Sequence, residues 1–280
     1  MSSCSEPAPP PEVPSRVTGV LEFLEPPAEH PFDYRYDPPP GSPQANVDYR
    51  PRPVPIENAR GILDDGTLDL IGAALVHHPS AVRDFWDEAQ TLALGHPEVA
   101  QLVKMVTGAQ RVVVFDHTRR RRGEGSEPRA VVSAQPVPRV HADQTLESGP
   151  QRVRDILGEE AESLLRTRAA IINVWRPIHH PARDWPLAIC DARTVDPKDR
   201  ISIDLIFAKR TGKNYGILYN PNQRWLYVPD LQVNEVLLIK SWDSDPAVVG
   251  FTPHTAFEDP TTPTGTPPRE SIEFRTMAFF

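Results

Sequence analysis

The sequence predicts a mainly β fold with flanking helices, and three observations carry that expectation. Seven short apolar segments crowd the C-terminal half, from AAIINVWRP at 169–177 to SIEFRTMAFF at 271–280, parted by turn signals such as Asn220-Pro221-Asn222. Helical spacing of apolar residues is confined to two stretches, residues 81–106 and 151–168. Neither a GxGxxG nor a Walker loop is present, so nucleotide-binding α/β folds lose their main support. Short strands at this frequency fit a sandwich, jelly roll or barrel.

The N-terminal stretch is dominated by proline. Of 33 prolines, 15 fall in the first 55 residues. Proline fixes φ and lacks an N–H, which predicts a disordered tail over residues 1–15 and a Pro-rich extended arm over 16–60. Within the arm, VTGVLEF (17–23) reads as an edge strand, and Phe32, Tyr34, Tyr36 and Tyr49 supply aromatic anchors. The arm is expected to wrap a single domain spanning 16–280, a length sufficient for one sizeable core.

Asp64-Asp65-Gly66-Thr67 introduces LDLIGAALVHH, a short strand or helix. Ser80 reads as the N-cap of AVRDFWDEAQTLAL, and Pro97 begins a second helix that stops at Gly108. RVVVFDHT (111–118) is β-branched and short, hence a strand. The arginine run that follows, in 119–129, reads as a solvated hairpin loop in preference to a phosphate site. After VVSAQPVPRVHAD, residues 151–168 read as a helix, and the seven strands follow.

Composition excludes several classes. No run of eighteen apolar residues exists and the N-terminus lacks a basic-then-apolar pattern, so neither a membrane span nor a secretory signal is expected. A formal charge of -8 argues against nucleic acid as the main partner. The two cysteines, Cys4 and Cys190, make no disulfide scaffold, which places the chain in a reducing, cytoplasmic compartment.

The residues that carry chemistry are His141-Ala142-Asp143 and, far along the chain, His254. Residues i and i+2 of a strand share a side, so His141 and Asp143 converge on one point. A third ligand from a distant strand completes a 2-His-1-carboxylate face, which suits Fe(II) and leaves positions open for a co-substrate and O₂. Arg269 and Arg275 follow His254. An arginine in an apolar terminal strand needs an anion: either Glu273 or Glu270, or a dicarboxylic co-substrate held bidentately. The paired histidines His77-His78 and His179-His180 read as surface residues, and His117 as hydrogen-bonded.

The blocks VFDHTRRR, VHADQTLESGPQRVRDIL, IINVWRPI, YNPNQRWLYVPDLQVNEVLLIKSWDS, FTPHTAFEDPTTP and PPRESIEFR resemble the fungal and bacterial hydroxylase/desaturase family. That family includes aspergillic acid hydroxylase, gibberellin desaturase and a protein related to a cephem methoxylase. The blocks are also similar to those of fungal enzymes that build aziridines from valine-like amino acids. The resemblance runs from about Arg60 to the C-terminus. It implies a double-stranded β-helix (jelly roll) and an oxidoreductase using Fe(II), 2-oxoglutarate and O₂ for hydroxylation, desaturation or ring closure of an amino acid or other secondary metabolite.

The family's metal ligands fall on His141, Asp143 and His254, and its arginines on Arg269 and Arg275. Its NxWRP block falls on Asn173, Trp175 and Arg176, with Arg176 a further candidate for a carboxylate. Asn173, Trp175, Tyr215, Tyr219 and Tyr227 are the candidate substrate contacts, and for the four aromatic residues the other reading is packing in the β core. Leu226 and Gln144 depart from the family pattern in ways that reshape a pocket. The older family label leaves an alternative, a methyltransferase-related or accessory binding protein without iron chemistry, for which no glycine-rich cofactor loop is present.

Overall fold

The computed structural model describes residues 14–123 and 134–280. Of the expected tail, residues 1–13 lie outside the described residues, as does most of the 119–129 loop. Fourteen strands are described: β1 (Arg16–Leu24), β2 (Phe32–Tyr34), β3 (Tyr49–Asn58), β4 (Ala73–His77), β5 (Arg111–Arg121), β6 (His141–Ala142), β7 (Ala169–Pro177), β8 (Leu187–Cys190), β9 (Arg200–Ile206), β10 (Thr211–Ile217), β11 (Trp225–Tyr227), β12 (Glu235–Asp243), β13 (His254–Ala256) and β14 (Glu270–Phe279). They form a five-stranded sheet, β4-β12-β7-β14-β5, and a nine-stranded sheet, β1-β3-β11-β8-β13-β6-β10-β9-β2. Two facing sheets of this order, antiparallel except at the β3–β11 and β2–β9 pairs, make the expected double-stranded β-helix.

Strand alternation sorts the side chains of the five-stranded sheet. Ile172 and Val174 of β7, Val236 and Leu238 of β12, and Ile272 and Phe274 of β14 face outward. They pack under Val99, Leu102 and Val103 of a helix at His96–Thr107. On the other face, Trp175, Leu237 and Ile239 meet Leu187, Ile189 and Leu226 of the nine-stranded sheet. Inward-facing Asn173, Ser271 and Glu273 make one stretch of this interior polar, and there the site lies.

The Pro-rich arm belongs to the sheet itself. β3 carries Pro51, Pro53 and Pro55 at every second position and still pairs with β1 from Tyr49 to Glu57. Prolines two apart all lack donors on one edge, which leaves the edge toward β1 intact for pairing, and β11 joins the other edge only past them, at Ile56, Glu57 and Asn58. Leu21 and Phe23 of β1 join Val140, Ala142, Trp225 and Tyr227 in a core on the far side of the nine-stranded sheet.

The N-terminal helix begins later than Ser80. Asp87 caps it, accepting from the N–H groups of Ala89 and Gln90, while the Ser80 hydroxyl bonds Glu98. The helical run continues through a π-helical turn at Thr91–Gly95 into His96–Thr107, the segments turning without a break. The arginine run is part of β5 as far as Arg121. Arg119 is half-buried there, donating to the Phe85 carbonyl and pairing with Glu88 at 2.8 Å. The helix expected over 151–168 starts at Ser148 and ends at Leu157, because Gly158 turns the chain at φ 55°; a single helical turn, Ala161–Leu164, follows.

Candidate metal centre

His141 and His254 sit opposite each other on adjacent antiparallel strands, β6 and β13, and Asp143 follows β6 by one residue. Their ligand atoms lie within 4.8 Å of one another. The imidazole centroids are 4.6 Å apart, and His141 Nε2 is 3.4 Å from Asp143 Oδ1. Each ring is oriented by a backbone carbonyl, which can only accept. The Nδ1–H of His141 donates to Arg139 at 2.8 Å and that of His254 to Thr252 at 3.1 Å. Both tautomers are thereby set, and both Nε2 lone pairs are left for the centre.

Asp143 is prepared in the same way. Burial alone would raise its pKa, but the adjacent imidazoles of His141 and His254 and the charge of Arg275 hold it well below the ordinary carboxylate value. Its Oδ2 accepts from the amide of Asn173, which is fully buried on β7. Burial, with His141 beside it, holds His254 below the usual imidazole value, which favours the neutral ligand form. Two imidazoles and one carboxylate, without a thiolate, are the donor set of a mononuclear Fe(II) site, so the residues fit that ion.

Two cavities meet at Asp143. A small one, about 30 Å³, is bordered by all three triad residues together with Trp175, Leu187, Arg269 and Glu273. A large one, about 570 Å³, is walled by Phe115, Asp116, Gln144, Arg152, Phe207 and Arg275, and touches the triad through Asp143. The two arginines that follow His254 thus serve opposite sides.

Arg275 is already paired. It donates to Glu273 at 2.6 Å, Asp116 at 3.0 Å and Thr118 at 2.9 Å. Burial opposes its charge, but Glu273, Asp143 and Asp116 together hold it above the ordinary arginine value. Arg269 is 1 % exposed, and its side chain has no carboxylate at ion-pair distance among the described residues. It donates to the Trp185 carbonyl, its Nε has no partner among the described residues, and it lies 5.5 Å from the Trp175 ring. Burial, with Arg120 nearby, pushes its pKa down to about 9.

Three expected pocket residues lie elsewhere. Arg176 follows Trp175 on β7, so alternation puts it on the outer face, where it stacks on Phe85 and bonds the Val233 carbonyl. Tyr227 is fully buried against Phe257 beneath the nine-stranded sheet. Tyr219 is 40 % exposed and packs on Phe23. Tyr215, with its hydroxyl accepting from the Leu146 N–H and its ring on Phe251, supports the Asp143 loop and borders neither cavity. Asn173 holds Asp143 and does not border a cavity either. Trp175 does face the small cavity, and Leu226 is core. The walls formed by Phe115, Arg152 and Phe207 escaped the sequence reading, since nothing local shows that the Ser148–Leu157 helix borders a cavity.

Comparison with known proteins agrees with this architecture. A family model described as "Oxidoreductase/YMDC permease-like domain" matches residues 21–279. The Fe(II)/2-oxoglutarate-dependent dioxygenase nvfI of Aspergillus novofumigatus is 33% identical over 88% of this chain and 90% of its own. The hydroxylase/desaturase CTB9 of Cercospora beticola is 32% identical over 89% of this chain and 86% of its own. The solved structure of the iron and alpha-ketoglutarate-dependent endoperoxidase NvfI superposes with a TM-score of 0.86 at 29% identity, covering 95% of this chain and 98% of that one. These relatives do not favour the methyltransferase-related alternative. The chain belongs to the family of Fe(II)/2-oxoglutarate-dependent dioxygenases and hydroxylase/desaturases.

Proposed function

We propose that this chain uses Fe(II), 2-oxoglutarate and O₂ to oxidise a C–H bond of a small secondary metabolite or amino-acid derivative, in hydroxylation, desaturation or ring closure. The observation that carries this reading is the convergence of two tautomer-fixed histidines and one carboxylate, bordered on one side by an unpaired buried arginine. His141, Asp143 and His254 would hold the iron. Bound there, it would supply the redox chemistry that couples decarboxylation of 2-oxoglutarate to substrate oxidation.

The protein's own part is positioning. Asn173 fixes the Asp143 carboxylate, and the Arg139 and Thr252 carbonyls fix the imidazoles. Arg269 is assigned to the distal carboxylate of 2-oxoglutarate, because it is the buried cation of the triad's own cavity that lacks a carboxylate. The 30 Å³ cavity has room for about one water, so binding of the co-substrate widens it. Arg275 neutralises Glu273, which would otherwise repel a dianion beside Arg269. The substrate enters from the large cavity and meets the centre at Asp143.

A small-molecule partner fits this enclosed site. Among the described residues no helix is long and apolar enough to cross a membrane. Cys190 is a buried free thiol whose pKa burial pushes up to about 12, an inert group that suits a cytoplasmic, reducing setting.

Succinate release from 2-oxoglutarate, measured with anaerobically loaded Fe(II), tests the reading. Arg269→Ala is expected to raise the 2-oxoglutarate requirement about ten- to hundredfold, the worth of a charge-assisted pair, with Fe(II) binding retained. Arg275→Ala is expected to change that requirement less. The reverse order would move the co-substrate to the large cavity.

A further inference from the structure

Five cations and four carboxylates line the large cavity, and its cations are unevenly paired. Lys213 is paired with Glu147 at 3.0 Å, Arg35 with Asp33 at 3.4 Å, and Arg275 with Asp116 and Glu273. Asp155 is held by the Gln151 amide at 2.8 Å, and Asp143 by the triad and Asn173. Each acidic residue of the wall thus has a hydrogen-bond or ion-pair partner, although the neutral Gln151 amide leaves the charge of Asp155 in place. Two guanidinium groups remain, Arg152 and Arg210, with no carboxylate at ion-pair distance among the described residues. Arg152 is half-buried on the Ser148–Leu157 helix, 5.2 Å from the Phe115 ring. Arg210 is exposed at the rim, 4.0 Å from the Phe207 ring.

The two cations also repel each other. Burial lowers the Arg152 pKa first, the charge of Arg210 adds to this, and Asp155 and Asp116 oppose it only partly. Two aromatic faces and two unpaired guanidinium groups on one wall describe a ligand with an apolar body and an anionic end. The planar fork of arginine matches a carboxylate bidentately, and a single carboxylate between two such forks relieves their repulsion. A volume of about 570 Å³ is in the range for a ligand of drug size, larger than a free amino acid.

We propose that the substrate of this site is a carboxylic acid with a bulky apolar body, its carboxylate held by Arg152 and Arg210 and its body against Phe115 and Phe207. This rests on the large cavity being the substrate side of the oxygenase centre. With the carboxylate fixed on the Arg152 wall, the body of the substrate extends toward Asp143, and the distance from carboxylate to reacting carbon becomes the selectivity rule.

The test uses the full chain loaded anaerobically with Fe(II) and 2-oxoglutarate, and a panel of apolar acids from benzoate to 1-pyrenebutyrate. Each is compared by calorimetry or fluorescence titration with its methyl ester, and the pyrene acid also with the corresponding alkyl phosphate. At least one larger acid is expected to bind about ten- to hundredfold more tightly than its ester. Arg152→Met is expected to bring that ratio close to one, and Arg210→Met to lower it. Arg154→Met, on the same helix but paired with Glu162 on the surface, leaves the ratio unchanged.

Equal binding of acid and ester, binding of no acid, or an unaltered ratio in Arg152→Met overturns the proposal. Tighter binding of the phosphate overturns the carboxylate assignment. Fe(II) binding, measured on each variant, keeps the two readings apart. If the protein binds no Fe(II), the oxygenase reading fails, while the acid-to-ester ratio of the metal-free chain still decides the proposal made here.

Discussion

Asn173 shows how a single amide shapes the centre. It donates to Asp143 Oδ2, leaving Oδ1 toward His141, so the carboxylate presents one oxygen to the metal position. Removing a hydrogen-bond partner of a metal-ligating carboxylate costs about ten- to hundredfold in metal affinity. Asn173→Ala is therefore expected to weaken Fe(II) binding by that factor, read by anaerobic titration with circular dichroism confirming the fold. An unchanged affinity would reduce the amide to a packing role. The sequence placed Asn173 in the site through the NxWRP block and assigned it to substrate. Its neighbour is Asp143, thirty residues away in sequence, a contact that only the packing of one sheet on the other creates. Arg176 is the opposite case: strand alternation in NVWRP already puts it on the face away from Asn173 and Trp175.

Elements decide what the local signals leave open. His141 and Asp143 were legible because a two-residue period is a local property, whereas the inward face of β11 depends on the sheet it joins. Tyr227 accordingly proved to be core. The helix at 148–157 is another such element, since it walls the large cavity and its fit depends on Gly149. A Cβ there would lie 2.2 Å from the Trp242 ring, which is itself buried. Gly149→Ala must displace that indole, at a cost of about 1–3 kcal/mol for overpacking. Chemical denaturation is expected to show this loss, together with weaker binding of acids in the large cavity. Wild-type stability in this variant would contradict the close approach. The mis-set helix start has a similar cause: Ser80 and Asp87 are both competent caps, and Ser80 is claimed by Glu98 across the turn.

At the scale of the molecule, two sheets carry the site while a perimeter of ion pairs steadies it. Arg224 bonds Glu57 and holds its carboxyl below the usual value, as Arg60 does for Glu235. For Asp69 burial works upward, but Arg168 and Lys240 outweigh it; for Glu270 burial is outweighed by Trp86, His179 and Arg121. A carboxylate whose folded pKa is depressed binds fewer protons in the folded than in the unfolded chain. Its contribution is present above the ordinary carboxylate range and lost as pH falls through the depressed values. The urea midpoint is therefore expected to fall steadily between about pH 5 and pH 3. A flat profile would mean that these pairs contribute equally in the unfolded chain.

The β-rich class and the triad were readable because strand frequency and the His-X-Asp pattern are written locally, and the later His254 came through family resemblance. The cavity walls were not readable, because Phe115, Arg152 and Phe207 meet only after β5, the 148–157 helix and the segment after β9 have packed. The claim on which the rest depends is that His141, Asp143 and His254 bind one iron. Anaerobic Fe(II) titration of the intact chain beside His141→Ala, Asp143→Ala and His254→Ala tests it most directly. One equivalent of Fe(II) bound by the native chain, with strong loss in all three variants, is the expected result. No binding by the native chain, or equal binding by the variants, would contradict it.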